Sequence, residues 1–298
     1  MVIEMKKILL VYNPVSGHAA FKSKLDGIVE EFQRRGILLT MYRTRRDDNS
    51  DFAEHVTESH ADGVIAAGGD GTLHAVVNWL MKSKIDLPVG IIGSGTSNDF
   101  ATYLGINKNL DEYFDRIVQF KTRKVDIGLV NGEKYFINVV SAGAFTAIAH
   151  EVNVKLKNFL GKPAYYIQSL KELPKFKAAT FQVNTNNVSF EVEAFLFIVL
   201  NSGAVAGMKN VADFAKIDDG ELNFLAVKKC SPAKLLRLSR NLFSNKGVKL
   251  NDENIFHLQA KKFTISSTTE MTSDIDGEVG SKLPINIDTI PQAIEFFI

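Results

Sequence analysis

Val64-Ile65-Ala66-Ala67-Gly68-Gly69-Asp70-Gly71-Thr72 decides how this chain folds: a short apolar run stops in a turn of three glycines holding one carboxylate. The run has the length and composition of a buried parallel strand. Residues 72–81 then switch to helical spacing, so the turn falls where a strand hands over to a helix. Gly68, Gly69 and Gly71 leave the backbone bare of Cβ atoms. Amide N–H groups there can approach phosphate oxygens, and the helix N-terminus adds partial positive charge. Asp70 is the odd member. A carboxylate beside phosphates is repulsive unless a cation lies between them, so Asp70 suggests magnesium bound with a nucleotide. A strand-to-helix turn with an Asp near its N-cap would account for one glycine and one Asp, but not for three glycines.

Working outward, residues 1 to about 120 alternate strand-like and helix-like segments: strands at 8–12, 37–42, 64–67 and 89–92, helices at 22–35, 51–60 and 72–81. Repeated crossovers of this kind imply a parallel sheet covered on both faces, with ligands at the carboxyl ends of the strands. Polar or glycine-rich turns follow three of these strands. They are Asn13-Pro14-Val15-Ser16-Gly17, the turn around Asp70, and Gly93-Ser94-Gly95-Thr96-Ser97-Asn98-Asp99. All three are expected on one rim of the sheet, where together they describe a nucleotide cleft.

From about Lys124 the texture changes to alternating, β-branched runs joined by hairpin signals such as Asn131-Gly132. Strands are expected at 125–130, 134–140, 179–185, 191–201, 221–228, 255–266 and 284–287, with helical patterns around 144–173 and 232–245. The expected division is a nucleotide-binding α/β domain over 1–125 and a β-rich domain over 126–290. A last strand at 294–298 is free to return to either.

The chain has 298 residues, 45% of them hydrophobic, enough for sizeable cores. A formal net charge of +1 gives no global attraction to nucleic acid, and none is expected as a partner. The single cysteine, Cys230, excludes an internal disulfide and fits a reducing cytoplasm, and the six histidines show no zinc-ligand spacing with it. No apolar segment approaches the ~20 residues that span a bilayer, so a lipid substrate would have to be reached from the water side. Phosphate-loop and protein-kinase signatures are missing, since Gly161-Lys162 runs into Pro163 and there is no H-R-D or D-F-G set. The Gly93-Ser94-Gly95 turn lacks the third glycine of a dinucleotide fingerprint, which disfavours hydride transfer.

Asn13-Pro14-Val15-Ser16-Gly17, Gly68-Gly69-Asp70-Gly71-Thr72 and Gly95-Thr96-Ser97-Asn98-Asp99-Phe100-Ala101 occur in the order and spacing of the diacylglycerol kinase catalytic domain, and the chain resembles soluble bacterial lipid kinases throughout. The second motif alone also resembles NAD kinases and phosphofructokinases. The resemblance implies a three-layer, mostly parallel N-terminal domain of the NAD kinase/phosphofructokinase kind and a sandwich-like C-terminal domain. It implies ATP and magnesium as cofactors, with ATP contacted by Asn13, Pro14, Ser16, Gly17, Thr44, Gly68 to Thr72 and Thr96.

Two acidic clusters lie further on. In Asp274-Ile275-Asp276-Gly277-Glu278 the carboxylates sit at alternate positions, and an extended strand there would turn all three to one face. A solvated hairpin is the plainer account. By resemblance Asp276 is the general base for the lipid hydroxyl and Glu278 supports it. Such help is worth ~10²–10⁴-fold, so Asp276→Ala is expected to remove turnover and leave the fold intact. Asp70 with magnesium should matter at least as much, because phosphoryl transfer is mostly positioning and charge neutralisation. In Ile217-Asp218-Asp219-Gly220-Glu221 the plain account is an Asp-Gly turn. The resemblance implies a structural magnesium site made of Asp219 and the carbonyls of Lys216 and Glu221. Asp213, just upstream, stands where relatives commonly carry proline.

Residues 155–166 and 235–243 mix basic and apolar side chains, the combination interfacial binding needs. The second is expected to pack on its own domain. Taken together, the sequence points to an ATP-dependent lipid kinase acting on diacylglycerol or a similar lipid, with nucleotide between the domains. It would be cytoplasmic, visiting the inner face of the membrane, and a homodimer is possible. The rivals are an NAD kinase and a nucleotide-binding regulator that has lost catalysis.

Overall fold

The structure is a computed structural model and describes residues 5–16, 21–93, 98–106, 109–143, 177–205, 208, 211–243 and 247–298. The chain divides into two compact units, residues 1–127 with 290–298, and residues 128–289.

In the first unit the strands β1 (Lys7–Tyr12), β2 (Leu38–Arg43), β3 (Gly63–Gly68) and β4 (Val89–Gly93) alternate with the helices α1 (Phe21–Arg34), α2 (Phe52–Ser59) and α3 (Asp70–Ser83). Two further helices follow, α4 (Asp99–Tyr103) and α5 (Leu110–Val118). The strands are parallel in the order β4-β3-β1-β2, and Phe296 of the last strand adds to β4 opposite Val89. Every residue of β3 is buried, as a strand covered on both faces requires. Gly90 of β4 is there for packing: a Cβ on it would fall 2.2 Å from Ile65 and 3.0 Å from the Tyr113 hydroxyl, which itself accepts the Ile91 N–H at 2.9 Å.

The second unit is antiparallel. It contains β6 (Lys134–Phe136), β7 (Val139–Gly143), β8 (Ala179–Asn184), β9 (Ser189–Leu200), β10 (Leu222–Lys228), α6 (Pro232–Phe243), β11 (Ile255–Ala260), β12 (Lys262–Ser267), β13 (Thr272–Ile275) and β14 (Glu278–Lys282). Two long strands, β5 (Thr122–Val130) and β15 (Ile285–Phe297), run across the division. The order is β14-β13-β7-β9-β8-β12-β15, with β10 between β9 and β11, and β5 between β15 and β6. Alternation in β9 and β10 feeds two cores. Phe197, Val199 and Phe224 join Phe181, Phe263 and Ile285 on one side, while Leu200 and Leu225 meet Leu238 of α6 on the other. Leu235 of α6 is buried too, while Lys234 and Arg237 pair with Glu253 and Asp252, so this helix packs on its own unit. Residues 144–173 and the segment 155–166 lie outside the described residues.

Three strand expectations need correction. The run 134–140 is two strands, because the N–H groups of Ile137 and Asn138 are turned out of the ladder to a carboxylate described below. The run 255–266 breaks at Lys261, whose carbonyl accepts Thr289; β11 pairs with β10, whereas β12 pairs with β8 and β15. The segments 284–287 and 294–298 are one strand, β15. Pro291 does not end it, and Gln292 at φ +48° gives its N–H to Asp126 (2.7 Å) instead of a ladder carbonyl.

A Cβ at Gly128 of β5 would fall 1.9 Å from the ring of Phe136, its partner across the β5–β6 pair, and that ring is fully buried. Gly128→Ala is therefore expected to lower stability by about 1–3 kcal/mol, the usual cost of overpacking. Urea denaturation of the variant beside wild type checks it; an unchanged midpoint would show that the ring relocates freely.

Candidate functional site

Parallel pairing brings the carboxyl ends of β1 to β4 to one edge of the first unit. The order β4-β3-β1-β2 places the topological switch point between β3 and β1, where connections leave on opposite faces and open a crevice. The Asn13 N–H crosses it to the Ala67 carbonyl (3.2 Å), and the Asn13 side chain accepts the Val15 N–H (3.1 Å), folding the Asn13-Pro14-Val15-Ser16 turn at the mouth. On the other side of β1, Thr44 N–H reaches the Tyr12 carbonyl (3.0 Å).

Across the crevice, Gly68 gives way to α3. A Cβ on Gly68 would lie 2.2 Å from Thr72 Oγ1, so the strand can enter the helix only without a side chain at this point. Gly69 caps α3, and Asp70 is its first residue. One Asp70 carboxylate oxygen accepts the Asp99 N–H at 2.7 Å and so ties this turn to the start of α4. Asn98 is left-handed (φ +50°), and its side chain lies against Gly93, where a Cβ would come within 2.9 Å. The edge thus unites Asn13, Pro14, Ser16, Thr44, Gly68 to Thr72, Asn98 and Asp99. Gly17 and Thr96 lie outside the described residues. A Cβ-free turn at the head of a 14-residue helix fits a phosphate chain, and Asp70 offers the hard oxygen that magnesium takes.

In the second unit, residues 274–278 are a hairpin rather than one strand. Asp276 and Gly277 have φ of +51° and +89°, the type I′ geometry that Asp-Gly suits, and Ile275 pairs with Glu278. The turn breaks the two-residue period, so the three carboxylates do not share a strand face: Asp274 is buried, Asp276 half-buried and Glu278 exposed. Asp274 accepts the Gly277 N–H at 2.9 Å. The Asp276 carboxylate accepts three consecutive backbone N–H groups, from Ile137 (2.7 Å), Asn138 (2.9 Å) and Val139 (2.8 Å). The far side of that segment is held as firmly: Asn201 donates its side-chain amide to the Ile137 carbonyl (2.8 Å), and Ser202 its hydroxyl to Asn138 Oδ1 (2.6 Å).

The diacylglycerol kinase catalytic domain model matches residues 7–130, and the YegS C-terminal NAD kinase beta sandwich-like domain model matches residues 138–298. Over 293 residues the chain is 35% identical to a diacylglycerol kinase of Staphylococcus epidermidis, covering 98% of this chain and 92% of the other. The chain belongs to the diacylglycerol kinase family. A diacylglycerol kinase of Staphylococcus haemolyticus is 35% identical over 287 residues, with 96% and 86% covered. The crystal structure of a diacylglycerol kinase from Bacillus anthracis superposes with a TM-score of 0.75 at 25% identity, covering 99% of this chain and 97% of that one. A second crystal structure from that organism reaches 0.82 at 26% identity, with 98% and 95% covered.

Within this family member the other acidic cluster, at residues 216–221, is also a built turn. Gly220 has φ +76°, and Asp219 accepts the Glu221 N–H (3.1 Å) and the Gln259 side-chain amide (2.8 Å). Among the described residues no three His, Cys, Asp or Glu side chains gather to hold a metal, so a site here would combine Asp219 with the carbonyls of Lys216 and Glu221, an all-oxygen set that fits magnesium. Register places this turn and the Asp276 turn at the same end of the second unit's sheet. Ile275 pairs with Val140, Val139 with Leu200 and Leu200 with Asn223, three strand spacings or about 14 Å in all.

Sequence inspection missed Asn138, Asn201 and Ser202, whose bonds span 64 positions. Nor did it show that Asp276 carries structure, so Asp276→Ala is expected to lower stability as well as turnover. Leaving three half-buried amides without an acceptor is expected to cost on the order of 3 kcal/mol, and Asp276→Asn, which keeps one carbonyl-type acceptor, less. Urea midpoints for the two variants should fall in that order; an alanine variant as stable as wild type would mean the carboxylate is not holding residues 137–139.

Proposed function

We propose that this chain is an ATP-dependent lipid kinase that moves the γ-phosphoryl group of ATP onto the hydroxyl of diacylglycerol, or of a lipid with the same exposed alcohol, releasing phosphatidic acid and ADP. The observation that carries the proposal is the 35% identity over 98% of the chain to a diacylglycerol kinase. The glycine turn at Gly68 to Thr72 and the amide-braced Asp276 give the reaction the groups it needs.

The phosphates of ATP take the Gly68 to Thr72 turn, where bare backbone and the N-terminus of α3 favour negative charge. Asn13, Pro14 and Ser16 line the other wall of the crevice, and Asn98 and Asp99 close its end. Asp70 would hold magnesium, which would supply positive charge against the phosphates. As the acceptor oxygen bonds to phosphorus and the bridging oxygen of ADP leaves, Asp276 takes the hydroxyl proton. The amides of Ile137, Asn138 and Val139 fix where that carboxylate points, which is the pre-organisation a general base requires. Glu278 adds negative charge beside it. Asp219 with the Lys216 and Glu221 carbonyls would hold a second, structural magnesium. The lipid is met at the surface of a bilayer by a cytoplasmic protein. No helix among the described residues is long and apolar enough to cross a membrane.

The test is phosphate transfer from labelled ATP to dispersed lipids, with diacylglycerol, phosphatidylglycerol, a sphingoid base and an isoprenoid alcohol in the panel and NAD as a soluble control. Wild type is expected to label diacylglycerol only when magnesium is present, and Asp276→Asn, folded by its urea midpoint, to lose ~10²-fold or more of kcat. Label on NAD and on no lipid would overturn the proposal.

A further inference from the structure

We propose that the outward face of α6, with the loop that follows it, docks this chain on an anionic lipid surface. Arg240 and Lys249 meet headgroup phosphates there, and Leu236 and Leu250 enter the interface. The proposal rests on the lipid-kinase reading above and deepens it by naming the face through which a bilayer is met. Charge points to it first. Residues 222–250 hold seven lysines and arginines and no aspartate or glutamate, while the other residues, with 28 basic and 34 acidic side chains, carry a net −6. A chain that is close to neutral as a whole thus concentrates its positive charge in one stretch.

Packing then divides the stretch into two faces. Leu235 sits with Phe195, and Leu238 with Leu200 and Val139, so α6 runs toward the end of the sheet where the Val139 N–H holds the Asp276 carboxylate. On its other side Lys234, Leu236, Arg237 and Arg240 are exposed. The returning loop runs along the helix in reverse. Glu253 pairs with Lys234 and Asp252 with Arg237, so Lys249 and Leu250, just before them, fall beside the turn that holds Arg240. The two carboxylates neutralise the first half of the helix. Arg240 and Lys249 stay exposed, and neither makes an ion pair among the described residues. Leu236 and Leu250 are 44% and 40% exposed, although Leu235, Leu238 and Val248 around them pack inward. A cation in the last turn suits the helix dipole, which accounts for Arg240 but for neither Lys249 nor the two leucines. Cations beside exposed leucines on one amphipathic face are the combination that interfacial binding uses. Each basic side chain near an anionic surface is worth about fivefold in partitioning, enough in sum for reversible attachment. A second copy of the chain is a poor occupant, because about a twofold axis this face would meet its own positive charge.

Co-sedimentation with vesicles of phosphatidylglycerol and phosphatidylcholine, without ATP or diacylglycerol, tests the face apart from catalysis. Wild type is expected to bind them, to release them as salt is raised, and to leave vesicles of phosphatidylcholine alone unbound. Arg240→Glu with Lys249→Glu should weaken binding about tenfold or more, and Leu236→Ser several-fold. Lys82→Glu with Lys84→Glu, the same change of net charge at the far end of α3, should bind as wild type does. Toward a short-chain diacylglycerol in free solution the Arg240–Lys249 variant should keep kcat and KM, while its apparent KM for diacylglycerol in vesicles rises in step with the lost binding. A wild type that binds no anionic vesicle, an Arg240–Lys249 variant that binds as wild type does, or equal losses in both charge reversals would overturn the face and leave the kinase reading standing. So would reversals that only split a dimer of the chain, read by sedimentation equilibrium. Vesicle binding that the Arg240–Lys249 variant loses, from a wild type that labels no lipid, would overturn the kinase reading and leave the face.

Discussion

Parallel pairing of β3 (Gly63–Gly68) with β1 (Lys7–Tyr12) is the constraint from which the first unit follows. Parallel neighbours cannot be joined by a tight turn, so each connection must cross the sheet and start again from the same edge. That requirement delivers the Asn13, Thr44, Gly68–Asp70 and Asn98 turns to one rim although up to 85 positions separate them in sequence. The order β4-β3-β1-β2 then makes the gap between β1 and β3 the one place where neighbouring connections diverge. Chemistry is added to that gap by small means: glycines where side chains would collide, and one asparagine that folds the turn after β1.

A second regularity is the use of aspartate as a backbone acceptor. Asp70 takes the Asp99 N–H, Asp126 that of Gln292, Asp219 that of Glu221, Asp274 that of Gly277, and Asp276 those of three residues. Each bond secures a place where the chain leaves regular structure and its amides have no ladder partner. Those are also the places where a ligand can approach, since a paired ladder offers it nothing. An aspartate in such a position has a structural reason to be there before any catalytic reason is added.

What was legible in the sequence divides along the same line. The runs at Ile8, Val64 and Val89 are buried on both faces, and their apolar composition alone marked the parallel strands and the turns that end them. The β-rich unit was legible as a class but not in its joints. Period-2 alternation carries on through Lys261, where the chain changes sheet partners, and it cannot show that the amides of Ile137 and Asn138 leave the ladder for Asp276, 138 or more positions away. Pro291 looks like a strand end because it has no N–H to give the ladder, and the Gln292 N–H beside it is taken up by Asp126 instead.

These two roles of aspartate change what loss of a side chain can mean. At Asp276 an alanine would remove the proposed proton acceptor and, in the same stroke, the group that holds residues 137–139 in place. Inactivity of that variant alone therefore does not separate chemistry from folding. The hydrogen-bond pattern also says why one residue would carry both duties. A carboxylate left mobile in solvent would spend much of its time pointing elsewhere, and the amides that restrain it are the same amides that the chain must satisfy to break β6 from β7. Removing the strand break would remove the restraint. The irregularity that the sequence pattern misjudged is thus the feature that aims the carboxylate.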